Sequence, residues 1–162
     1  MKEIFILRHA KSSWDNTNLS DFERPLAKRG IRDAKKVGNY GKINQIKISK
    51  VLCSKARRAK ETFDIVADDF SFKIDDAAYT DDLYYGKYNQ ILSFLKKIND
   101  KYMNILIIGH NPMLHILIES LTDKDIAKFS TCNLAIISHS DKWNMIDNGK
   151  CSLESIIRPK EI

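Results

Sequence analysis

The chain has 162 residues, 43% of them hydrophobic and 30% charged, with 27 Lys+Arg against 21 Asp+Glu for a net charge of +6. That length and balance fit one ordinary globular domain over residues 1–162 and exclude a disordered, collagen-like or coiled-coil chain. No run of about 18 apolar residues is present, so no membrane helix and no membrane partner are expected. Cys53, Cys132 and Cys151 are an odd count at wide spacing, which gives neither a disulfide framework nor a zinc pattern and points to a cytoplasmic chain with reduced thiols.

In chain order, Ile4-Phe5-Ile6-Leu7 reads as a buried strand, because the run is short, β-branched and aromatic. Four apolar residues are too few for a signal-peptide core. The strand stops at Arg8-His9, and the polar stretch Asp15 to Ser20 reads as loop. Ile31, Ala34, Val37 and Tyr40 recur at helical spacing from Gly30, with Gly41 placed to end that helix. Lys50 to Ser54 is a second short strand. Ala56 to Ala67 follows as a helix with Ala59, Phe63, Val66 and Ala67 on one side. Leu83 to Ile98 is predicted mostly helical through Ile91, Leu92, Leu95 and Ile98. Asn104 to Ile108 is a strand that ends at Gly109-His110-Asn111-Pro112, and Met113 to Leu121 is the next helix. Leu134 to Ser138, Trp143 to Ile146 and Ser152 to Ile157 read as late strands.

Strands alternating with helices through the first two thirds predict an α/β fold. The expected form is a three-layer sandwich, with a mostly parallel central sheet flanked by helices. In such sheets ligands bind beyond the carboxyl ends of the strands. Three of those ends carry unusual polar residues: Arg8-His9, Ser54 to Arg58, and Gly109-His110. Charge is uneven as well. Residues 1–60 hold 16 Lys+Arg and 5 Asp+Glu, a balance of 16 − 5 = +11, and the remainder balances at 11 − 16 = −5. An anion site or a nucleic-acid surface would both explain this; scattered lysines on solvated helix faces are the plainer account. No nucleic-acid-binding motif is present, so no nucleic-acid partner is expected.

Taken singly, each feature is ordinary. A strand-end histidine is usually structural, an arginine usually sits in a salt bridge, and Gly-His-Asn-Pro makes a plausible tight turn. Together they describe a pocket for a dianion. Guanidinium forks bind phosphate oxygens in pairs, and imidazole suits nucleophilic attack on phosphorus at neutral pH. A helix starting near Ala56 would add its N-terminal dipole.

Five segments carry a resemblance. Leu7-Arg8-His9-Ala10-Lys11-Ser12-Ser13-Trp14, Asp21-Phe22-Glu23-Arg24-Pro25-Leu26 with Gly30, and Ser54-Lys55-Ala56-Arg57-Arg58-Ala59-Lys60-Glu61-Thr62 come first. Leu83-Tyr84 and Gly109-His110-Asn111-Pro112 follow. In this order they resemble the motifs of the histidine phosphatase superfamily, also called phosphoglycerate-mutase-like, and most closely its short branch, the SixA-type phosphohistidine phosphatases. The resemblance implies that His9 is the nucleophile, that Arg8 and Arg58 clamp the phosphoryl group, and that His110 binds the same oxygens. It implies a phosphoenzyme pathway with no metal and no cofactor, since the arginines supply the positive charge. Ser12, Arg57 and Asn111 are candidates to bind substrate; Ser12 could equally cap its turn, and Arg57 could face only solvent.

Two departures, Ala10 for glycine and Lys55 for proline, remove no functional group. More telling is the segment Tyr79 to Gly86, where longer family members carry an acid. Tyr85 falls near that place, with Asp82 and Asp81 as candidate acids that also read as a helix N-cap region. A missing acid suits phosphohistidine, whose imidazole departs readily, better than an alkyl phosphate. The expected partner is a phosphorylated protein, such as a phosphorelay domain. The alternatives are a phosphatase of small monoesters (a sugar phosphate or nucleotide) and a non-catalytic phosphate-binding module. His115 and His139 read as core or surface histidines, Trp14 as a loop anchor and Cys53 as a small apolar core residue.

Overall fold

The apolar runs become strands wherever both faces find a cover. In the computed structural model, which describes residues 1–162, the elements are β1 (Lys2–Arg8), α1 (Lys28–Ile43), β2 (Lys50–Ser54), α2 (Arg57–Val66), β3 (Ala78–Thr80), α3 (Asp82–Tyr85), α4 (Tyr88–Lys96), β4 (Asn104–Gly109), α5 (Met113–Thr122), β5 (Leu134–His139) and β6 (Ser152–Ile157). The strands form one sheet in the order β3-β2-β4-β1-β5-β6. β1, β2, β3 and β4 run parallel, while β5 and β6 add antiparallel. The three-layer α/β architecture expected from the alternation is the one observed.

Successive side chains leave a strand on opposite faces, and the core divides accordingly. Ile4, Ile6, Ile105, Ile107 and Ala135 pack with Leu92, Leu95, Leu114 and Leu117 of α4 and α5. Phe5, Leu7, Val51, Leu106 and Ile108 pack with Ala34, Val37, Ala59 and Phe63 of α1 and α2. Each fully buried aliphatic or aromatic side chain here contributes about 1.5–3 kcal/mol, which is why these unalternating runs stay in the centre of the sheet.

Several elements differ from expectation. The helix expected over Leu83 to Ile98 is two helices, α3 and α4. Gly86 between them is extended, at φ −85° and ψ −171°, and the Gln90 side chain turns back to accept from Lys87 N at 2.7 Å. Trp143 to Ile146 is not a strand: Trp143–Met145 is a 3-10 turn. Trp143 is fully buried and donates through Nε1 to Tyr102 O at 2.7 Å, so an aromatic that fits strand composition serves as an anchor. Gly41 does not end α1, which runs on to Ile43; its missing Cβ makes room for the Phe70 ring. β3, unread in the sequence, pairs Ala78–Thr80 with Leu52–Ser54 at the sheet edge.

Gly30 matters more to the site. A Cβ there would stand 2.1 Å from the carbonyl oxygen of Lys11, which already accepts from Ala27 N at 2.9 Å. Gly30→Ala is therefore expected to cost about 1–3 kcal/mol as overpacking against backbone. A thermal melt reads this as a Tm several degrees lower; an unchanged Tm would mean the Lys11 turn yields freely.

Candidate active site

Register brings the three polar strand ends level. Leu7 and Cys53 both pair with Ile108, and Arg8 pairs with Gly109. Arg8, Ser54 and Gly109 therefore end their strands side by side, and His9, His110 and the first turn of α2 lie just beyond. His9 N donates to Gly109 O at 3.0 Å. Ala10 N donates to Thr62 Oγ1 at 3.0 Å, and that hydroxyl donates to Arg58 O at 2.7 Å. The Arg8-His9 turn is thus tied to both neighbours by its own backbone.

His9 is 7% exposed. Its Nδ1 stands 2.7 Å from Ala10 O; a carbonyl can only accept, so Nδ1 carries the proton and Nε2 keeps its lone pair. Arg58 Nε is 3.4 Å from that Nε2. Burial, together with the charges of Arg58, Arg8 and Arg24, lowers the His9 pKa to about 3 against the backbone bond, which favours the charged form. The ring is neutral at physiological pH. His110 lies with its ring centroid 5.0 Å away. Its pKa is likewise about 3, first through burial and then through His9 and Arg58. His110 Nε2 is 2.8 Å from Ser54 Oγ, and that oxygen accepts from Ala56 N at 3.2 Å.

The guanidinium groups are held from behind. Arg8 Nη1 donates to Phe129 O at 3.1 Å. Arg58 Nη1 donates to Asp21 O at 2.7 Å, and its Nη2 to Asp21 Oδ2 at 3.0 Å. Asp21 also accepts from Arg24 Nη2 at 2.9 Å and from Tyr84 Oη at 2.5 Å. The Tyr84 hydrogen bond, with Arg24 and Arg58, holds the Asp21 carboxyl well below the usual carboxylate range. Arg8 Nε and His110 Nδ1 are buried and have no hydrogen-bond partner, which is uncommon for buried polar atoms. No three side chains among His, Cys, Asp and Glu converge to hold a metal; beside His9 stand the Arg58 guanidinium and the neutral His110 ring.

The remaining candidates divide. Asn111 Nδ2 donates to Phe129 O at 2.7 Å, and its buried Oδ1 is unpartnered. Ser12 Oγ accepts from Arg24 Nη1 at 2.6 Å, so it braces the arginine that braces Asp21. Arg57 pairs with Glu61 at 3.5 Å along the outer side of α2. Asp81 pairs with Lys55 at 3.9 Å, and Asp82 N caps onto Thr80 Oγ1 at 3.1 Å; neither carboxylate makes a hydrogen bond to the two histidines. Asp21, Arg24 and Tyr84, whose roles the sequence alone does not mark, all stand in the segments that carry the resemblance. Beside His110 a cavity of about 420 Å³ opens, walled by Leu83, Tyr84, Tyr88, Pro112, Met113 and Ile116 among others.

The two depressed histidines set a pH dependence of stability. In the unfolded chain each binds a proton near pH 6.5, and in the folded chain only near 3. Between those values the unfolded state holds more protons, so stability falls as pH falls from about 6.5 towards 3. Tm measured from pH 7 to pH 4 is expected to drop, and to drop less in His9→Ala. Equal slopes in the two proteins would contradict the burial assigned to His9.

Comparison with known proteins agrees with this geometry. The sequence model of the histidine phosphatase superfamily (branch 1) matches residues 4–93, a span that includes Arg8, His9, Arg24 and Arg58. An uncharacterized protein of Mycobacterium leprae is 30% identical over 166 residues, covering 95% of this chain and 100% of its own. Phosphohistidine phosphatase SixA of Escherichia coli is 24% identical over 152 residues, covering 93% of each chain. The fold matches the protein histidine phosphatase SixA complexed with tungstate at TM-score 0.86 and 23% identity, over 98% of both chains. It also matches a putative alpha-ribazole-5'-P phosphatase from Escherichia coli at 0.74 and 15% identity, again over 98% of both. Motif order, strand-end geometry and the family match converge: this chain belongs to the histidine phosphatase superfamily, branch 1, and is a hydrolase of the histidine phosphatase type.

Proposed function

We propose that this enzyme removes the phosphoryl group from phosphohistidine in a protein, by way of a phosphohistidine on its own His9. The observation that carries the reading is the fixed tautomer of His9: Nδ1–H is committed to Ala10 O, so the lone pair of Nε2 points out beside Arg58. In the first step Nε2 attacks phosphorus and the bond from phosphorus to the substrate nitrogen breaks. In the second, water attacks phosphorus, the bond to Nε2 breaks and orthophosphate leaves. Arg8 and Arg58 neutralise the transferring group, whose transition state needs positioning and charge more than covalent help. Arg8 Nε is a buried donor without a partner that an oxyanion would satisfy, and His110 Nδ1 is a second such donor when Ser54 Oγ donates to Nε2.

The leaving group decides the substrate. Asp21 is the carboxylate nearest the reacting side chains, and it is locked as an acceptor of Arg24, Arg58 and Tyr84. Its depressed pKa makes it a poor proton donor. The Asp81 carboxylate is paired with Lys55, and the Asp82 carboxylate makes no hydrogen bond to His9 or His110. An alkoxide leaving from a monoester needs a proton that this site is poorly equipped to give, whereas imidazole departs readily. The relative named phosphohistidine phosphatase SixA supports the same substrate.

Phosphate release in the presence of a chelator, from a phosphohistidine-bearing protein and from a panel of sugar phosphates and nucleotides, tests this. Phosphohistidine is expected to exceed every small monoester in kcat/KM by orders of magnitude. A small monoester that wins would overturn the substrate and keep the machinery. Release from none of them would favour a phosphate-binding module.

A further inference from the structure

Away from the histidines lies a second polar cavity, of about 440 Å³, formed where the start of α1, residues 127–133 and the C-terminal turn meet. Arg29, Lys128, Arg158 and Lys160 line it, with one carboxylate, Asp33. Asp33 is paired with Arg29 at 3.6 Å. Lys128, Arg158 and Lys160 pair with no carboxylate anywhere in the chain. Beyond the Arg29–Asp33 pair, three cations are therefore gathered in one concave place with no carboxylate partner of their own, where an anion would relieve their mutual repulsion.

We propose that this cavity is a second oxyanion site, for a phosphorylated small molecule. The volume is in the range of small-ligand pockets and exceeds what a lone phosphate fills. None of Arg8, His9, Arg58 and His110 lines it, so it is distinct from the phosphoryl pocket. The segment 129–133 serves both: Phe129 O holds Arg8, and Cys132 N donates to Arg8 O and His9 O at 3.1 Å, while Ser130 and Thr131 line the second cavity.

Titration of the full chain with inorganic pyrophosphate, followed by amide NMR at constant ionic strength, separates them. The expected result is a saturable shift of the Ser130, Thr131 and Asn133 backbone amides, with its own binding curve. Lys128→Ala/Arg158→Ala should weaken that curve about tenfold or more, while shifts at Arg8 and His9 persist. Lys160→Glu, at an exposed position, should weaken it in the same direction and serves if the double variant folds poorly. A chloride titration to the same ionic strength should leave these signals in place. Shifts confined to Arg8, His9 and His110, a response that never saturates, or an affinity unchanged in the variants would overturn the second site and leave the proposed phosphatase chemistry untouched.

Discussion

His9→Ala is expected to lower kcat by about 10⁴–10⁶, the scale seen when a covalent nucleophile is removed, with the fold retained. The side chain that is lost offers an imidazole Nε2 left unprotonated by the bond of Nδ1 to Ala10 O, with only a long 3.4 Å contact from Arg58 Nε on its lone pair. Neither His110, tied to Ser54, nor a water in its place reproduces that aim. The turn itself is held by His9 N to Gly109 O and Ala10 N to Thr62 Oγ1, which do not involve the ring. Amide NMR should therefore show the native dispersion. Turnover within tenfold of wild type would remove His9 from the nucleophile role.

Arg58→Ala has the second largest expected effect, a loss of about 2.7–4 kcal/mol of transition-state stabilisation, or roughly 100- to 1,000-fold in kcat/KM. Arg58 is 6% exposed, and two of its nitrogens are spent on Asp21. Those bonds fix the plane of the guanidinium and leave Nε turned to His9 Nε2. A lysine cannot hold Asp21 at two atoms and present a third donor to the site, so Arg58→Lys should recover little. Steady-state kinetics on the preferred substrate checks both variants. Full rescue by lysine would show that only charge matters there, and that the Asp21 clamp has no bearing on rate.

Much of this was legible in the sequence for a physical reason. Strands covered on both faces must be apolar throughout, so Ile4-Phe5-Ile6-Leu7 and Ile105-Leu106-Ile107-Ile108 announce themselves. The polar residues that follow, Arg8-His9 and His110, stand out because a sheet end is where such a run must stop. Edge and anchor elements are less visible. β3 is three residues at the sheet edge, with half-exposed side chains at Tyr79 and Thr80, so no apolar pattern marks it. Trp143 carries strand-like composition and yet packs beside His139 in a 3-10 turn. The break at Gly86 is masked by the helical periodicity that flanks it. Supporting residues are hardest of all: Asp21 and Arg24 are ordinary loop residues until Arg58, from another element, arrives beside them. Their place in a resembling segment was the available signal.

Rapid-quench trapping on labelled phosphohistidine substrate tests the central claim most directly, because the two-step pathway requires phosphate to pass through His9 Nε2. The account predicts an acid-labile, base-stable label that appears before free phosphate, maps to the peptide carrying His9, and is absent from His9→Ala. A label on His110, a label that survives in His9→Ala, or phosphate release with no phosphoenzyme at any quench time would contradict it.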